Sequence, residues 1–207
     1  MTDRRLRILY LVAGHGLMDG VGPSRNVVSL SRALRPYADV TLAFRYLLDP
    51  HAPADLPLIE IDPGSRPASS LDDSAMRGMS LGGFAGYLCR LRRLAVEAAG
   101  RYDVILEKSW LLSGHLSAVA AKAGGAGIPV ENVVPSSARH EAAGLLKRLR
   151  VEAGRVLAGR ALRQAPLVIA ETDQLKTDIA RVWGVEEGRI VVVGLGRVRV
   201  DEAHEEQ

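Results

Sequence analysis

Four glycines, Gly14, Gly16, Gly20 and Gly22, fall within the segment 13–23, between an apolar run and a helical pattern that opens near Ser24. Glycines at such a junction let backbone amides approach a phosphate closely, and the helix N-terminus adds partial positive charge. The spacing matches neither common phosphate motif. Asp19 stands where the third glycine of a dinucleotide-binding turn belongs, no acid ends the second apolar run near Phe44 and Arg45, and no Gly-Lys-Ser/Thr follows. The segment can therefore contact a phosphate without the lysine and hydroxyl of an ATPase, while a plain turn would use the same glycines for backbone geometry alone.

Two further segments follow apolar runs: Glu107-Lys108-Ser109-Trp110, and Pro135-Ser136-Ser137-Ala138-Arg139-His140-Glu141. Their polar side chains can hydrogen-bond the hydroxyls of a sugar-like substrate, and Trp110 offers a face for stacking. The plainer reading pairs Glu107 with a nearby Lys or Arg and makes the serines helix caps. His15 and His140 stand closest to strand ends, where an imidazole can move a proton or simply face solvent. Glu171-Thr172-Asp173 places two carboxylates at a helix start, which capping explains.

The elements that must position these residues alternate. Apolar runs at 8–12, 40–44, 58–61, 104–106, 130–134, 167–170 and 190–193 read as strands. Most are continuously apolar, as strands covered by helices on both faces must be, with Thr41, Glu60, Glu131 and Asn132 as exceptions. Helical patterns lie at 24–34, 83–99, 114–123, 139–163 and 172–183; Ser24 and Thr172 read as starts, and Gly184 as a left-handed stop. The expected class is α/β, a single doubly wound, mostly parallel, Rossmann-like sheet over residues 1–200, with a solvated acidic tail at 201–207. In such a sheet ligands bind beyond the carboxyl ends of the strands, where all the segments above fall.

Composition narrows the function classes. The 207 residues are 47% hydrophobic, enough for a real core, and the net charge of +3 is too small to indicate nucleic-acid binding. The one cysteine, Cys89, cannot form an internal disulfide, and no Cys/His spacing suggests a metal site, so a cytoplasmic setting is expected. No run approaches ~18 apolar residues, which leaves peripheral membrane contact. The segment 139–163 carries seven basic residues against Glu141 and Glu152, a pattern that suits either anionic lipid or a wet helix face.

Three stretches carry a family likeness. They are Arg7-Ile-Leu-Tyr-Leu-Val with Asp19-Gly-Val-Gly-Pro-Ser-Arg-Asn; Tyr102-Asp-Val-Ile-Leu-Glu; and Ala165-Pro-Leu-Val-Ile-Ala-Glu-Thr-Asp with Trp183-Gly-Val-Glu-Glu-Gly-Arg-Ile-Val-Val-Val-Gly. Together they resemble the N-terminal, acceptor-side domain of the GT-B glycosyltransferases of family 4, retaining enzymes that use nucleotide sugars. The resemblance implies that Gly20, Val21 and Gly22 approach the donor diphosphate and sugar. It also implies that Glu107, Ser109, Ser136 and Ser137 help to bind a sugar or glycan acceptor, with His15 and His140 beside them. Here the loop reads Asp-Gly-Val-Gly where the family usually pairs glycines, Pro135 and Ser136 stand where many members place a histidine, and Gly194-Leu-Gly-Arg replaces the usual Asn-Gly-Val-Asp. No catalytic residue is assigned.

The family's donor-binding domain has no counterpart in these residues, so a second domain or chain is expected as partner, the nucleotide sugar as substrate, and no cofactor. Because stabilisation of the departing diphosphate is a dominant catalytic contribution, this half alone is expected to transfer little. The rival readings are a non-catalytic subunit that holds a glycan, lipid-linked acceptor or protein, and a small nucleotide-binding α/β protein.

Overall fold

The computed structural model describes residues 4–14, 16–17, 22–47, 55–63, 80–131 and 145–194. Its elements run β1 (Leu6–Val12), α1 (Gly22–Leu34), β2 (Ala38–Phe44), β3 (Leu58–Glu60), α2 (Leu81–Ala99), β4 (Val104–Lys108), α3 (His115–Lys122), β5 (Gly127–Glu131), α4 (Leu145–Gln164), β6 (Val168–Ala170), α5 (Asp173–Trp183), a 3₁₀ turn at Glu187–Arg189, and β7 (Ile190–Val192). The strands form one sheet in the order β3-β2-β1-β4-β5-β6-β7, and every pairing is parallel. This is the doubly wound α/β sheet expected from the alternating pattern.

Apolar side chains cover both faces. Val27 and Val28 of α1 bury against Ile8, Tyr10, Val40 and Leu42 on one side. Tyr87, Leu91 and Ala95 of α2, with Leu116 and Ala120 of α3, bury against Leu9, Leu11 and Ile105 on the other. Alternate residues of β1 therefore enter different cores, which is why its sequence is continuously apolar. A third cluster joins Ala158 and Leu162 of α4 to Leu175, Ile179 and Trp183 of α5 beneath β6 and β7.

Several boundaries differ from the sequence reading. β5 begins at Gly127, three residues before the expected 130, and residues 132–134 lie outside the described residues. Gly127 and Pro129 read as breakers, yet each fits. A Cβ on Gly127 would strike the backbone of Ser117, so only glycine lets α3 lie this close to the strand. The carbonyls of Ala126 and Val130 accept from Ile105 and Ser109 of the β4 side. Pro129 therefore faces β6, where that ladder only begins, and its missing N–H removes no bond to β4.

Ser24 is not the cap of α1, because the helix already opens at Gly22; its hydroxyl instead donates to the Gly16 carbonyl at 3.4 Å. α2 starts at Leu81, earlier than expected, with the Ser80 hydroxyl accepting from the Gly83 amide. The ends of α5 match the reading: Thr172 accepts from the Leu175 amide, and Gly184 closes the helix at φ 65°.

Candidate functional site at the carboxyl edge of the sheet

β1 lies between β2 and β4, so the chain leaves the sheet in opposite directions at the β1/β4 boundary and a crevice opens above it. The segment that leaves β1 enters this crevice and is braced from three sides. The Tyr87 hydroxyl donates to the Ala13 carbonyl at 2.7 Å. The Leu17 amide donates to the Tyr46 carbonyl at 2.9 Å, in a short parallel bridge between Leu17 and Leu47. A Cβ on Gly14 would lie 3.0 Å from the Cβ of Trp110, and one on Gly16 would overlap the Tyr46 ring. Neither glycine is among those with positive φ, so each serves close approach rather than an unusual backbone angle.

Behind this segment sits a buried cationic cluster that the sequence reading did not single out. The Arg45 guanidinium lies 5.0 Å from the centroid of Tyr87 and 5.4 Å from that of Tyr46. Asp62, also buried, holds Arg90 at 2.6 Å and lies 3.9 Å from Arg45. The tyrosines that support the glycine segment are thus themselves fixed by a charge cluster at the ends of β2 and β3. Burial pushes the Tyr87 hydroxyl above the ordinary phenol range, so it keeps its proton and remains a donor at neutral pH. The available signal was Arg45 itself, a cation directly after an apolar strand.

On the β4 side, Glu107 belongs to the strand rather than to the rim beyond it, and it is fully buried. Its Oε1 accepts from the Trp110 indole N–H at 2.6 Å and its Oε2 from the Ser117 amide at 2.6 Å. Among the described residues Glu107 pairs with no lysine or arginine, contrary to the plainer sequence reading. The carboxyl instead ties the Trp110 turn to α3, and Ser113 closes that turn by accepting from the Trp110 amide. Burial raises the Glu107 carboxyl above its ordinary range, against the lowering effect of these donors. Ser109 lies half-buried just past β4, its amide donating to Val130.

Three more ionisable groups gather at the ends of β4, β5 and β6. Lys108 is only 1% exposed and its Nζ meets Glu171 Oε1 at 2.6 Å. In register, Glu107 pairs with Pro129 and Lys108 with Val130, so Glu107 and Glu131 share one face while Lys108 lies on the other. Glu131 is 1% exposed, and its Oε1 has no hydrogen-bond partner among the described residues. Burial pushes its carboxyl up to about 8, with Ser113 opposing and Glu107 reinforcing the shift. Glu131 is therefore a neutral acid at pH 7. Its signal in the sequence was a carboxylate inside an apolar strand.

Of the sequence-derived candidates, the structure places Gly22 at the first position of α1, Glu107 inside β4 and Ser109 on the rim. Gly20, Val21, His15, Ser136, Ser137 and His140 lie outside the described residues. Among the described residues there is no cluster of His, Cys, Asp and Glu suited to a metal, and no helix long and apolar enough to cross a membrane.

Known proteins share this fold. The model of the glycosyl transferase 4-like domain family matches residues 21–196. Sucrose-phosphate synthase from Thermosynechococcus elongatus is similar over 92% of this chain and 48% of its own, at 16% identity and a TM-score of 0.60. WaaG, a glycosyltransferase involved in lipopolysaccharide biosynthesis, is similar over 90% of this chain and 44% of its own, at 15% identity and a TM-score of 0.58. The glycotransferase of kitacinnamycin is similar over 99% and 55%, at 21% identity and a TM-score of 0.54. The chain thus spans about half the length of each of these proteins. None of the curated proteins matches it.

Proposed function

The chain belongs to the glycosyl transferase 4-like domain family, and on that premise we propose that it forms the acceptor-side half of a retaining, nucleotide-sugar-dependent glycosyltransferase. The observation that carries this reading is the β1/β4 boundary, where Gly14 packs on Trp110, Gly16 on Tyr46, the Tyr87 hydroxyl donates to the Ala13 carbonyl, and Ser24 of α1 donates to the Gly16 carbonyl. Backbone amides and the helix terminus there suit a diphosphate, and the buried Arg45 beside the bracing tyrosines adds positive potential. The donor nucleotide itself is held by a second domain facing this edge.

The acceptor lies over the ends of β4 and β5. Ser109 is the expected acceptor contact that stands half-exposed on that rim, and it hydrogen-bonds a sugar hydroxyl. Glu107 has both oxygens committed inside the chain, so its part is to hold Trp110 and the start of α3 in place. Facing domains that close over sugar and diphosphate would exclude water and strengthen each of these contacts.

A transfer assay tests the proposal. The domain is supplied together with its donor-binding partner domain, a panel of nucleotide sugars, and glycan or lipid-linked acceptors, and nucleoside diphosphate release is measured. Acceptor-dependent release from at least one donor is expected. Release no faster than without this domain, across every donor and acceptor, overturns the proposal; glycan binding without release would instead identify a non-catalytic binding module.

A further inference from the structure

A groove of about 320 Å³ lies between α2 and α3, lined by Val96, Ala118, Val119 and Ala123 with Arg92, His115 and Lys122 among them. No acid lines it. Arg92 and Lys122 are exposed, and neither forms an ion pair among the described residues. Two like charges facing one cavity repel, and helix surfaces ordinarily relieve this with a carboxylate three or four residues away. Neighbouring Arg93 follows that rule by pairing with Glu97 at 2.8 Å, which leaves Arg92 turned to the groove without a counter-charge.

His115 supplies a separate observation. Its Nε2 is buried and has no hydrogen-bond partner among the described residues, an arrangement that costs free energy unless something else satisfies it. Burial lowers the imidazole's protonation, and the positive fields of Arg92 and Lys122 lower it further, so all three groups feel one another.

From the two uncompensated cations, the unsatisfied imidazole and the apolar floor between them, we propose that this groove is a binding site for a phosphoryl anion. The two cations neutralise the charge, and a turn of the His115 ring that uncovers its unpartnered Nε2 lets the imidazole hydrogen-bond a phosphoryl oxygen beside the apolar Val96 and Val119. The site is independent of the proposed transfer reaction, so either can fail without the other.

The test follows the His115 ring resonances by NMR in the full chain during titration with inorganic phosphate, with chloride at equal ionic strength as control. A parallel arm measures retention on vesicles of phosphatidylcholine with and without phosphatidate. The expected result is a saturable shift of His115 with phosphate, or retention that requires phosphatidate. Either should be weakened roughly tenfold or more in an Arg92→Gln, Lys122→Gln double variant. Circular dichroism confirms that the variant is folded. A phosphate response without vesicle retention identifies a soluble ligand, and the reverse a lipid headgroup. No response in either arm, or an equal response in the double variant, overturns the proposal.

Discussion

Glu131 is the single residue with the largest measurable consequence. Its carboxyl titrates near 8 in the folded chain because burial disfavours the charged form, against an unfolded value of about 4.3. Below the unfolded value both states are protonated and stability is at its fullest. Between the two values the unfolded state releases its proton while the folded state keeps it, so stability falls as pH rises from about 4 to about 8. Glu131→Gln mimics the neutral acid and removes this slope. Thermal unfolding at pH 5 and pH 8 should therefore show the variant gaining on the natural chain at pH 8, by something on the order of a few kcal/mol, with little difference at pH 5. Equal pH dependence in both would mean that Glu131 ionises freely in the folded state. Substitution at Glu107 has the opposite effect, since both its carboxyl oxygens accept hydrogen bonds. Glu107→Ala strands the Trp110 indole N–H and the Ser117 amide and opens a cavity, which should cost about 2–5 kcal/mol by urea denaturation and shift Trp110 fluorescence.

The elements were legible in the sequence wherever burial demanded it. Four strands and the doubly wound class follow from continuous apolar runs between amphipathic segments, and the three strands with polar interruptions form as well. Glu60 is explained once folded, because its Oε1 accepts from the Leu47 amide across the neighbouring strand end. What periodicity could not reveal is close approach between elements. Gly127 and Pro129 looked like breakers because their fit depends on where α3 and β6 lie, which no local pattern encodes. Gly127→Ala should destabilise by about 1–3 kcal/mol, because the added methyl meets backbone of α3 that cannot rotate away. Gly124 offers a contrast: a Cβ there meets open space, and only its φ of 87° opposes substitution, so Gly124→Ala should cost about 1 kcal/mol. Chemical denaturation midpoints of the two variants rank these causes.

At the scale of the whole molecule, the strand order places the braced glycine segment, the Trp110 turn and the buried Glu131 carboxyl along one edge of one sheet. That the glycine segment and Ser109 lie at the carboxyl edge was legible because each directly follows an apolar strand. Arg45, Asp62, Tyr87 and Lys108 were not, since each takes its meaning from partners distant in sequence. The chain spans about half the length of each similar protein, 48% of one and 44% of another. Hydrogen exchange of backbone amides tests this placement most directly, measured with the donor-binding domain present and with and without a nucleotide sugar and acceptor. Slowed exchange is predicted in segments 13–17, 22–26 and 109–113, with the outer faces of α4 and α5 unchanged. Unaltered exchange in all three segments while transfer proceeds would place the reaction elsewhere and contradict the assignment of this edge.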